Sequence, residues 1–432
     1  MKLLIKNVAI VPMTKEGLVV KHGYIVVENQ FIKALGSGES PQAQYDRVID
    51  GKGHVALPGF VNAHTHAAMT LLRGYADDLP LMQWLEDKIW PMEAKMGREE
   101  IYYGSQLAML EMIKSGTTCF ADMYFQMDAE AEAVKESGMR AVLSRGMIGV
   151  GPENEQAIEE SRELVKKWHG AEKGRIQFML GPHAPYTCPP DYLKRVSDLA
   201  SELNVGIHIH LAETTGECED IQKQYGKSPV ALLEELGIFK HQVLAAHCVH
   251  LSEEDIQILS KYQVGVAHNP ESNMKLASGI APVQALLQAG VPVALGTDGA
   301  SSNNDLDMLQ EMRTAALLQK VHLMDPTALP AYQALEMATV NGAKALGLGH
   351  KIGKLEIGYC ADIILINLQV PNMVPAYDLI ANLVYSAHAA DVDTVIIDGK
   401  VIMEERKILT VNEQEVLEKV QKMVVDLTRN EE

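Results

Sequence analysis

Short apolar runs alternate with amphipathic stretches through the middle of this chain. Eight of these runs have the length of β-strands, and helical patterns such as those of residues 191–203 and 252–261 lie between them. The runs are 56–66, 119–125, 141–145, 176–183, 206–213, 243–249, 264–270 and 291–298. Parallel strands that alternate with helices predict a closed (β/α)8 TIM-like barrel, and an open doubly wound sheet is the alternative.

Both ends of the chain carry a different pattern, in which apolar and polar positions alternate between turn residues. The four segments with this pattern are 3–11, 23–32, 361–367 and 392–402. Such alternation is typical of short antiparallel strands. Because chain termini often lie close together, we predict one small β-sandwich domain built from residues 1–55 and 350–432, around a catalytic barrel at 56–349. The last stretch, 412–432, has the pattern of an amphipathic helix.

The composition is that of a soluble globular protein and restricts the partners. Of the 432 residues, 47% are hydrophobic and 22% are charged, and the formal net charge of -19 argues against nucleic acid because phosphates would be repelled. We also expect no membrane segment and no signal peptide, since no apolar run has the required length or flanks. Five scattered cysteines without C-x-x-C pairs suit reduced thiols, which predicts a cytoplasmic location.

Residues that could bind a metal stand at the ends of the predicted strands. His64 and His66 close the first run, and side chains at i and i+2 of a strand share a face, so both can hold one ion. His210 lies on the fifth run with His208, and periodicity does not distinguish the two. Asp298 ends the eighth run, where a carboxylate needs a capping role or a cation. Each signal alone has a packing alternative, but together on one barrel rim they predict a metal site.

Two further residues could move protons beside such a metal. Glu213 follows the point where the fifth run breaks, and His247 ends the apolar sixth run, where a lone histidine is more often a core residue. Histidines with a carboxylate suit zinc, with iron as the alternative. A bound divalent cation lowers the pKa of its water from about 15.7 to about 7. With Asp298 as a further proton acceptor, the sequence predicts hydrolytic attack on an electrophilic carbon.

Four motifs make the chain resemble the amidohydrolase superfamily. They are Leu-Pro-Gly-Phe-Val-Asn-Ala-His-Thr-His at 57–66, Ile-His-Ile-His-Leu-Ala-Glu at 207–213, Ala-His-Cys-Val-His at 246–250 and Gly-Thr-Asp-Gly-Ala-Ser-Ser-Asn-Asn at 296–304. Within the superfamily the chain most resembles the 5-methylthioadenosine/S-adenosylhomocysteine deaminases, from end to end and including residues 354–362. The resemblance implies an aminohydrolase that adds hydroxide at C6 of an adenine ring and releases ammonia.

The resemblance also implies roles for the residues at the strand ends. One divalent ion, zinc in preference to iron, would have four ligands: His64, His66, His210 and Asp298. His208 would then be a packing residue. Glu213 would carry protons to the ring and to the leaving ammonia. His247 would orient or deprotonate the attacking water.

A nucleoside site is implied as well. The residues that would contact the substrate are Trp84, Glu93, Arg145, His183, Glu213 and Asp298. Glu93 would accept hydrogen bonds from ribose hydroxyls, since a carboxylate can accept two of them. Trp84 would form part of the pocket wall, although an amphipathic helix with aromatic residues in the core explains the same segment.

The preferred substrate follows less directly from the sequence. Residues 151–160 lack a second arginine that some relatives carry, and Arg162 is the nearest one, so a homocysteine carboxylate is held less well. Methylthioadenosine, adenosine and 5'-deoxyadenosine therefore rank at least equal to S-adenosylhomocysteine. The fourth run ends in Gly181-Pro182-His183 without the lysine of a binuclear hydrolase. Another aminated ring, such as guanine or a triazine, is the alternative substrate, and a homo-oligomer is compatible with the sequence.

Overall fold

The computed structural model describes residues 1–152 and 154–429, and these residues form two β-sheets and the helices around them. Their strands are β1 (Lys2–Ile10), β2 (Val20–Glu28), β3 (Phe31–Ser37), β4 (Arg47–Asp50), β5 (His54–Pro58), β6 (Phe60–His66), β7 (Thr117–Tyr124), β8 (Arg140–Met147), β9 (Ile176–Pro182), β10 (Ile207–Leu211), β11 (Val243–His247), β12 (Gly265–His268), β13 (Val293–Leu295), β14 (Asp298–Gly299), β15 (Ile363–Asn367), β16 (Val392–Ile397), β17 (Lys400–Glu404) and β18 (Lys407–Ile408).

The helices of the described residues are mostly short and lie between the strands. The α-helices are α1 (Leu81–Trp84), α2 (Trp90–Glu93), α3 (Arg98–Lys114), α4 (Met127–Ser137), α5 (Asn154–Trp168), α6 (Ala171–Gly174), α7 (Pro190–Leu203), α8 (Thr215–Tyr225), α9 (Pro229–Glu235), α10 (Glu253–Tyr262), α11 (Pro270–Lys275), α12 (Val283–Gln288), α13 (Met308–Leu323), α14 (Ala331–Met337), α15 (Val340–Ala345), α16 (Leu379–Tyr385) and α17 (Glu413–Thr428). A π-helical turn at Leu85–Ile89 joins α1 to α2, and short 3₁₀ helices lie at Ala67–Leu72, Ile238–Lys240, Pro371–Met373 and Ala389–Asp391. Within the described ranges, none of these helices combines the length and apolar character needed to cross a bilayer. The predicted C-terminal helix is α17, and residues 430–432 of that prediction lie outside the described part.

The central sheet is a parallel barrel whose strands follow one another in chain order from β6 to β13. Two residues separate β13 from the short strand β14, which pairs in parallel with β6. The last strand of this sheet in chain order therefore contacts the first. The side chain of Asn62 holds this junction, because it accepts a hydrogen bond from the amide of Thr297 at 3.0 Å and donates to its hydroxyl at 2.7 Å. The predicted TIM-like barrel is therefore confirmed.

The second sheet contains strands from both ends of the chain. Its order is β18-β17-β16-β15-β5-β1-β2-β3, with β4 beside β1. Apolar side chains from the two ends, such as Ile5 and Ile25 from one and Ile363 and Ile396 from the other, belong to one buried cluster. A small β domain formed by both termini is thus confirmed, as one mixed nine-stranded sheet. The exact boundaries at 55/56 and 349/350 stay predictions, and β5 spans the first of them.

The two sheets are joined tightly where β5 passes into β6. Gly59 lies between these strands, and a Cβ atom at this position would lie 2.1 Å from Cγ2 of Thr118, so only glycine fits. Nearby, the buried guanidinium of Arg140 on β8 contacts Asp362 at 2.8 Å and Asp398 at 3.1 Å. This contact fixes the base of the barrel against the terminal sheet. The opposite, carboxyl ends of the barrel strands remain available for a site.

Candidate metal and active site

Five of the predicted site residues converge at the carboxyl ends of the barrel strands. Oδ1 of Asp298 lies 3.3 Å from Nε2 of His64 and 3.3 Å from Nε2 of His66. Nε2 of His210 lies 3.3 Å from Nε2 of His66. Ligand atoms of His64, His210 and His247 also lie within 4.8 Å of one another. The structure therefore brings together all four predicted metal ligands and the predicted catalytic histidine.

Hydrogen bonds behind two of these histidines fix their tautomers. Nδ1 of His66 lies 2.6 Å from the carbonyl oxygen of Met123, and Nδ1 of His210 lies 2.8 Å from that of His183. A carbonyl oxygen can only accept, so in both rings Nδ1 carries the hydrogen. In the neutral form of each ring, the lone pair of Nε2 then points into the cluster, as a metal ligand requires.

A relay of side chains fixes the tautomer of His64 in the same way. The Ser144 hydroxyl lies 2.6 Å from the carbonyl oxygen of Asp122, to which it donates, and 3.1 Å from Nδ1 of His208, from which it accepts. Nε2 of His208 is then an acceptor for Nδ1 of His64, 2.8 Å away. His208, expected to be a packing residue, therefore orients His64 as well.

The unpaired atoms of the cluster fit a bound cation. Nε2 of His64 and Oδ1 of Asp298 are buried without a hydrogen-bond partner, although buried polar atoms in proteins are nearly always paired. The other oxygen of Asp298 accepts hydrogen bonds from Ser272 at 2.6 Å and Ser302 at 2.9 Å, which leaves Oδ1 free. When all three histidines are neutral, these converging lone pairs repel one another, and a divalent cation removes that repulsion.

The protonation states of the histidines agree with a cation site. Burial lowers the pKa of His64 to about 4 and holds that of His210 well below its usual value, so both are neutral. Burial also lowers the pKa of His66, but the neighbouring Asp298 outweighs it and raises this pKa to about 9. The cluster thus attracts one positive charge, whether a proton or a metal ion.

Glu213 and His247 lie side by side next to the cluster. Oε2 of Glu213 is 3.8 Å from Nε2 of His247, and burial raises the pKa of Glu213. The loop that carries Glu213 is held by the buried carboxylate of Glu217. This carboxylate accepts hydrogen bonds from the backbone amides of Ala212 at 2.9 Å and Glu213 at 2.8 Å. A carboxylic acid whose pKa is raised by burial can exchange protons with a substrate near neutral pH.

The backbone around these residues is strained. Left-handed backbone conformations occur at Ala212 (φ 51°), directly after β10, at His247 (φ 71°), the last residue of β11, and at Asp298 (φ 63°), the first residue of β14. Such conformations are unfavourable for residues with a Cβ atom and concentrate at functional sites. Nδ1 of His247 lies 2.9 Å from Oδ1 of Asn273 on α11, so the ring is fixed despite the strain.

A partly open pocket lies next to the cluster, and its walls are mostly apolar. The helical segment after β6 supplies Trp84, whose indole donates to the carbonyl of Ala76 at 2.9 Å, and Glu93. Burial raises the pKa of Glu93 to about 7, and the hydroxyl of Tyr124 donates to Glu93 Oε1 at 2.6 Å. We refer to this space, which His66, His210, Glu213 and Asp298 also line, as the inner chamber.

His183 also lines the inner chamber, where its ring lies beside that of His210, with the ring centroids 4.8 Å apart. Its Nδ1 lies 2.9 Å from the hydroxyl of Thr187, and that hydroxyl donates to the carbonyl of Ala184 at 3.2 Å. Nδ1 of His183 is therefore the donor, and burial, which lowers its pKa to about 4, keeps the ring neutral. Nε2 of His183 is then a hydrogen-bond acceptor.

Comparison with known proteins places the chain in a family. The Amidohydrolase family matches residues 55–402. The chain belongs to this family. A 5-methylthioadenosine/S-adenosylhomocysteine deaminase of Syntrophomonas wolfei is 66% identical over 420 residues, which cover 97% of each chain. As an amidohydrolase, the protein is a hydrolytic enzyme, and its histidine cluster is that of a divalent metal site.

Two solved structures are similar to this amidohydrolase over nearly its whole length. An adenosine deaminase from Xanthomonas campestris with bound zinc has a TM-score of 0.95 and 36% identity, covering 99% of this chain and 98% of that one. An atrazine chlorohydrolase from Arthrobacter aurescens, complexed with zinc, has a TM-score of 0.90 and 25% identity, covering 98% of this chain and 100% of the other. The high TM-scores show that both proteins share the fold described above, a barrel with a terminal sheet.

Among the predicted substrate-binding residues of this amidohydrolase, Arg145 does not line the inner chamber. It lines a second space, here called the outer chamber, which shares Trp90, Glu93 and Phe125 with the inner one. There its guanidinium contacts Glu160 at 2.9 Å. The structure thus places Arg145 in the outer chamber, and its predicted contact with the substrate stays a prediction.

Several residues of the site were not singled out from the sequence. Glu217 resembles an ordinary acidic residue in the first turn of a helix, and its role depends on the loop that folds over α8. Tyr124 belongs to the apolar run of β7, where an aromatic residue indicates core packing. Ser272 had no sequence signal beyond its position after a predicted strand, and Ser302 belongs to the motif at 296–304, which assigns it no role.

Proposed function

We propose that this amidohydrolase removes the C6 amino group of 5'-modified adenosines, such as 5-methylthioadenosine and S-adenosylhomocysteine, and releases the inosine analogue and ammonia. The observation that carries the proposal is the pair Glu213–His247, 3.8 Å apart, beside a histidine–aspartate cluster. Glu93 and His183 line the same chamber with acceptor atoms. The names of the close relatives support the same reaction.

The proposed metal ligands are His64, His66, His210 and Asp298, with zinc preferred to iron. When bound, a divalent ion would lower the pKa of a water from about 15.7 to about 7 and so supply a nucleophile at neutral pH. We propose that Asp298 accepts a proton through Oδ1, because Ser272 and Ser302 occupy its other oxygen. His247 would orient the water through Nε2.

Deamination needs two proton transfers on the substrate side. When water adds to C6, ring nitrogen N1 must gain one proton. When the C6–N bond breaks, the amino group must gain a second proton from the added hydroxyl so that ammonia can leave and the C6 carbonyl can form. Glu213 is suited to both steps, since burial raises its pKa and thereby favours the protonated form that the first transfer requires.

The remaining residues of the inner chamber would hold the nucleoside. Tyr124 occupies only Oε1 of Glu93, so Oε2 can accept a ribose hydroxyl. Nε2 of His183 would accept a hydrogen bond from a second ribose hydroxyl. The apolar wall around Trp84 would enclose the purine and keep bulk water from the reacting carbon.

The test is a deamination assay with metal-loaded protein, following ammonia and the loss of adenine absorbance. The substrates are methylthioadenosine, S-adenosylhomocysteine, adenosine, 5'-deoxyadenosine, guanine and a triazine. We expect turnover of the adenosines, with reconstitution by zinc more effective than by iron. Activity on guanine alone, or on the triazine alone, would contradict the proposal. The cytoplasmic location and self-association stay predictions.

A further inference from the structure

The outer chamber adjoins the inner one at Glu93, the proposed ribose contact. A substituent on the 5' carbon of a bound nucleoside would leave the inner chamber at this point. The inference below therefore rests on the proposed function. Charged side chains line the outer chamber, and they are Glu93, Asp128, Arg145, Glu160, Glu163 and Lys167.

Both cations that line the outer chamber, within the described part of the chain, are already paired. Nε and Nη2 of Arg145 each lie 2.9 Å from Oε2 of Glu160, and Nη1 donates to the carbonyl of Gly146. Lys167 contacts Asp128. All three guanidinium nitrogens of Arg145 are therefore engaged inside the protein.

A hydrogen bond holds Glu160 in position in addition to its ion pair with Arg145. It lies on α5, and its second oxygen accepts a hydrogen bond from Gln156 at 2.7 Å. The Arg145 side chain is 13% exposed, whereas that of Glu160 is 42% exposed, so Glu160 forms the solvent side of the pair. A carboxylate that enters the chamber would compete with Glu160 for Arg145, because Glu160 occupies the Nε and Nη2 edge that a bidentate carboxylate uses.

We infer that Glu160 determines which 5' substituents this enzyme accepts, by blocking Arg145. A terminal carboxylate would have to compete with Glu160 for the guanidinium and would also meet the charge of Glu163. A 5' substituent with a neutral end does not compete for the Arg145–Glu160 ion pair. A terminal ammonium gains two acidic neighbours. Glu160 thus favours neutral and cationic 5' substituents over anionic ones.

The test compares three 5'-thioethers of adenosine of matched length, ending in methyl, carboxylate or ammonium. The measured quantity is kcat/KM for each substrate, with wild type and with Glu160→Gln, which keeps the size of the side chain. We expect Glu160→Gln to raise the carboxylate-to-methyl ratio about tenfold, because hydrogen bonds to a charged partner are strong. The ammonium-to-methyl ratio should fall.

Two further variants distinguish the effect of the Arg145–Glu160 ion pair from the effect of the total negative charge in the outer chamber. Glu163→Gln removes the same charge from the same chamber, where Glu163 contacts Lys166 at 2.8 Å, and should change either ratio by less than about twofold. Arg145→Met with Glu160→Gln should lose the gained preference for the carboxylate. Unchanged ratios in Glu160→Gln, or equal changes in Glu163→Gln, would overturn the inference. A wild type that deaminates none of the three substrates would instead refute the proposed function.

Discussion

Nε2 of His208 lies 2.8 Å from Nδ1 of His64, directly behind a proposed metal ligand. Because this contact selects the tautomer of His64, we predict that His208→Leu weakens zinc binding by about 10- to 100-fold. His208→Gln, whose amide oxygen can take over the acceptor role, should retain most of the affinity. Zinc titration against a competing chelator measures both variants, and equal loss in the two would contradict the orienting role.

Glu213→Gln should keep the metal and lose turnover. The amide cannot deliver the protons that the ring and the leaving ammonia require, so we expect kcat to fall about 100-fold or more. Metal content, measured on the same preparation, should equal that of wild type. Loss of metal together with activity, or a wild-type rate, would be inconsistent with a proton-carrying role.

Tyr124→Phe should raise KM more than it lowers kcat. The hydroxyl of Tyr124 stabilises the ionised form of Glu93, whose pKa is about 7. Ionised Glu93 is the better acceptor, so nucleoside affinity should increase as the pH rises through this value. Without the hydroxyl the pKa of Glu93 rises further, and KM at pH 7 should increase roughly fivefold.

The pH profile of the Tyr124→Phe variant provides the decisive measurement. Its KM should begin to improve at a higher pH than that of wild type. With 2',3'-dideoxyadenosine, which has no ribose hydroxyls for Glu93, the two proteins should have the same KM. A KM difference that persists with this substrate would assign Tyr124 to packing alone.

Glu130→Gln should make the melting temperature less dependent on pH. Buried Asp122 accepts hydrogen bonds from Thr65 and the amide of Ala67, and it contacts buried Glu130. Burial and the Asp122 charge hold the pKa of Glu130 well above its usual range, so Glu130 is the protonated partner. When the protein unfolds above about pH 4.5, Glu130 loses this proton, and the free energy of unfolding therefore falls as the pH rises.

A glutamine at position 130 donates to Asp122 without titrating. Melting temperatures at pH 6, 7.5 and 9 should thus decline less steeply for Glu130→Gln than for wild type. Glu130→Leu is the matched control: it leaves the buried Asp122 oxygen unpaired and should lower the melting temperature throughout. Identical slopes for wild type and Glu130→Gln would show that Glu130 is already ionised.

The sequence predicted the barrel and the metal cluster because both depend on local patterns. An apolar run that ends in a polar side chain is visible in the sequence, and the carboxyl ends of barrel strands necessarily meet. The first run, 56–66, was predicted as one strand, but it divides at Gly59 into β5 and β6. Hydrophobicity alone does not show which sheet each half joins, since both halves are buried.

The sequence patterns did not predict the side-chain contacts between segments that are distant in the chain. Periodicity places His208 and His210 on one face but does not show that His208 reaches His64 and Ser144 across the barrel. Likewise, Arg145 was placed at a strand end correctly, yet its partner Glu160 depends on how α5 packs over β8. Such pairings are set by helix orientation and rotamer choice, which a single sequence does not encode in any short motif.

The terminal sheet has a consequence for synthesis on the ribosome. β5 pairs along its whole length with β15, which follows roughly 300 residues later. At about 5 to 20 residues per second, translation needs roughly 15 to 60 seconds to supply that partner. Until then the N-terminal strands expose an open, aggregation-prone edge, so a nascent chain that stops short of residue 367 leaves the outer edge of β5 without its full partner.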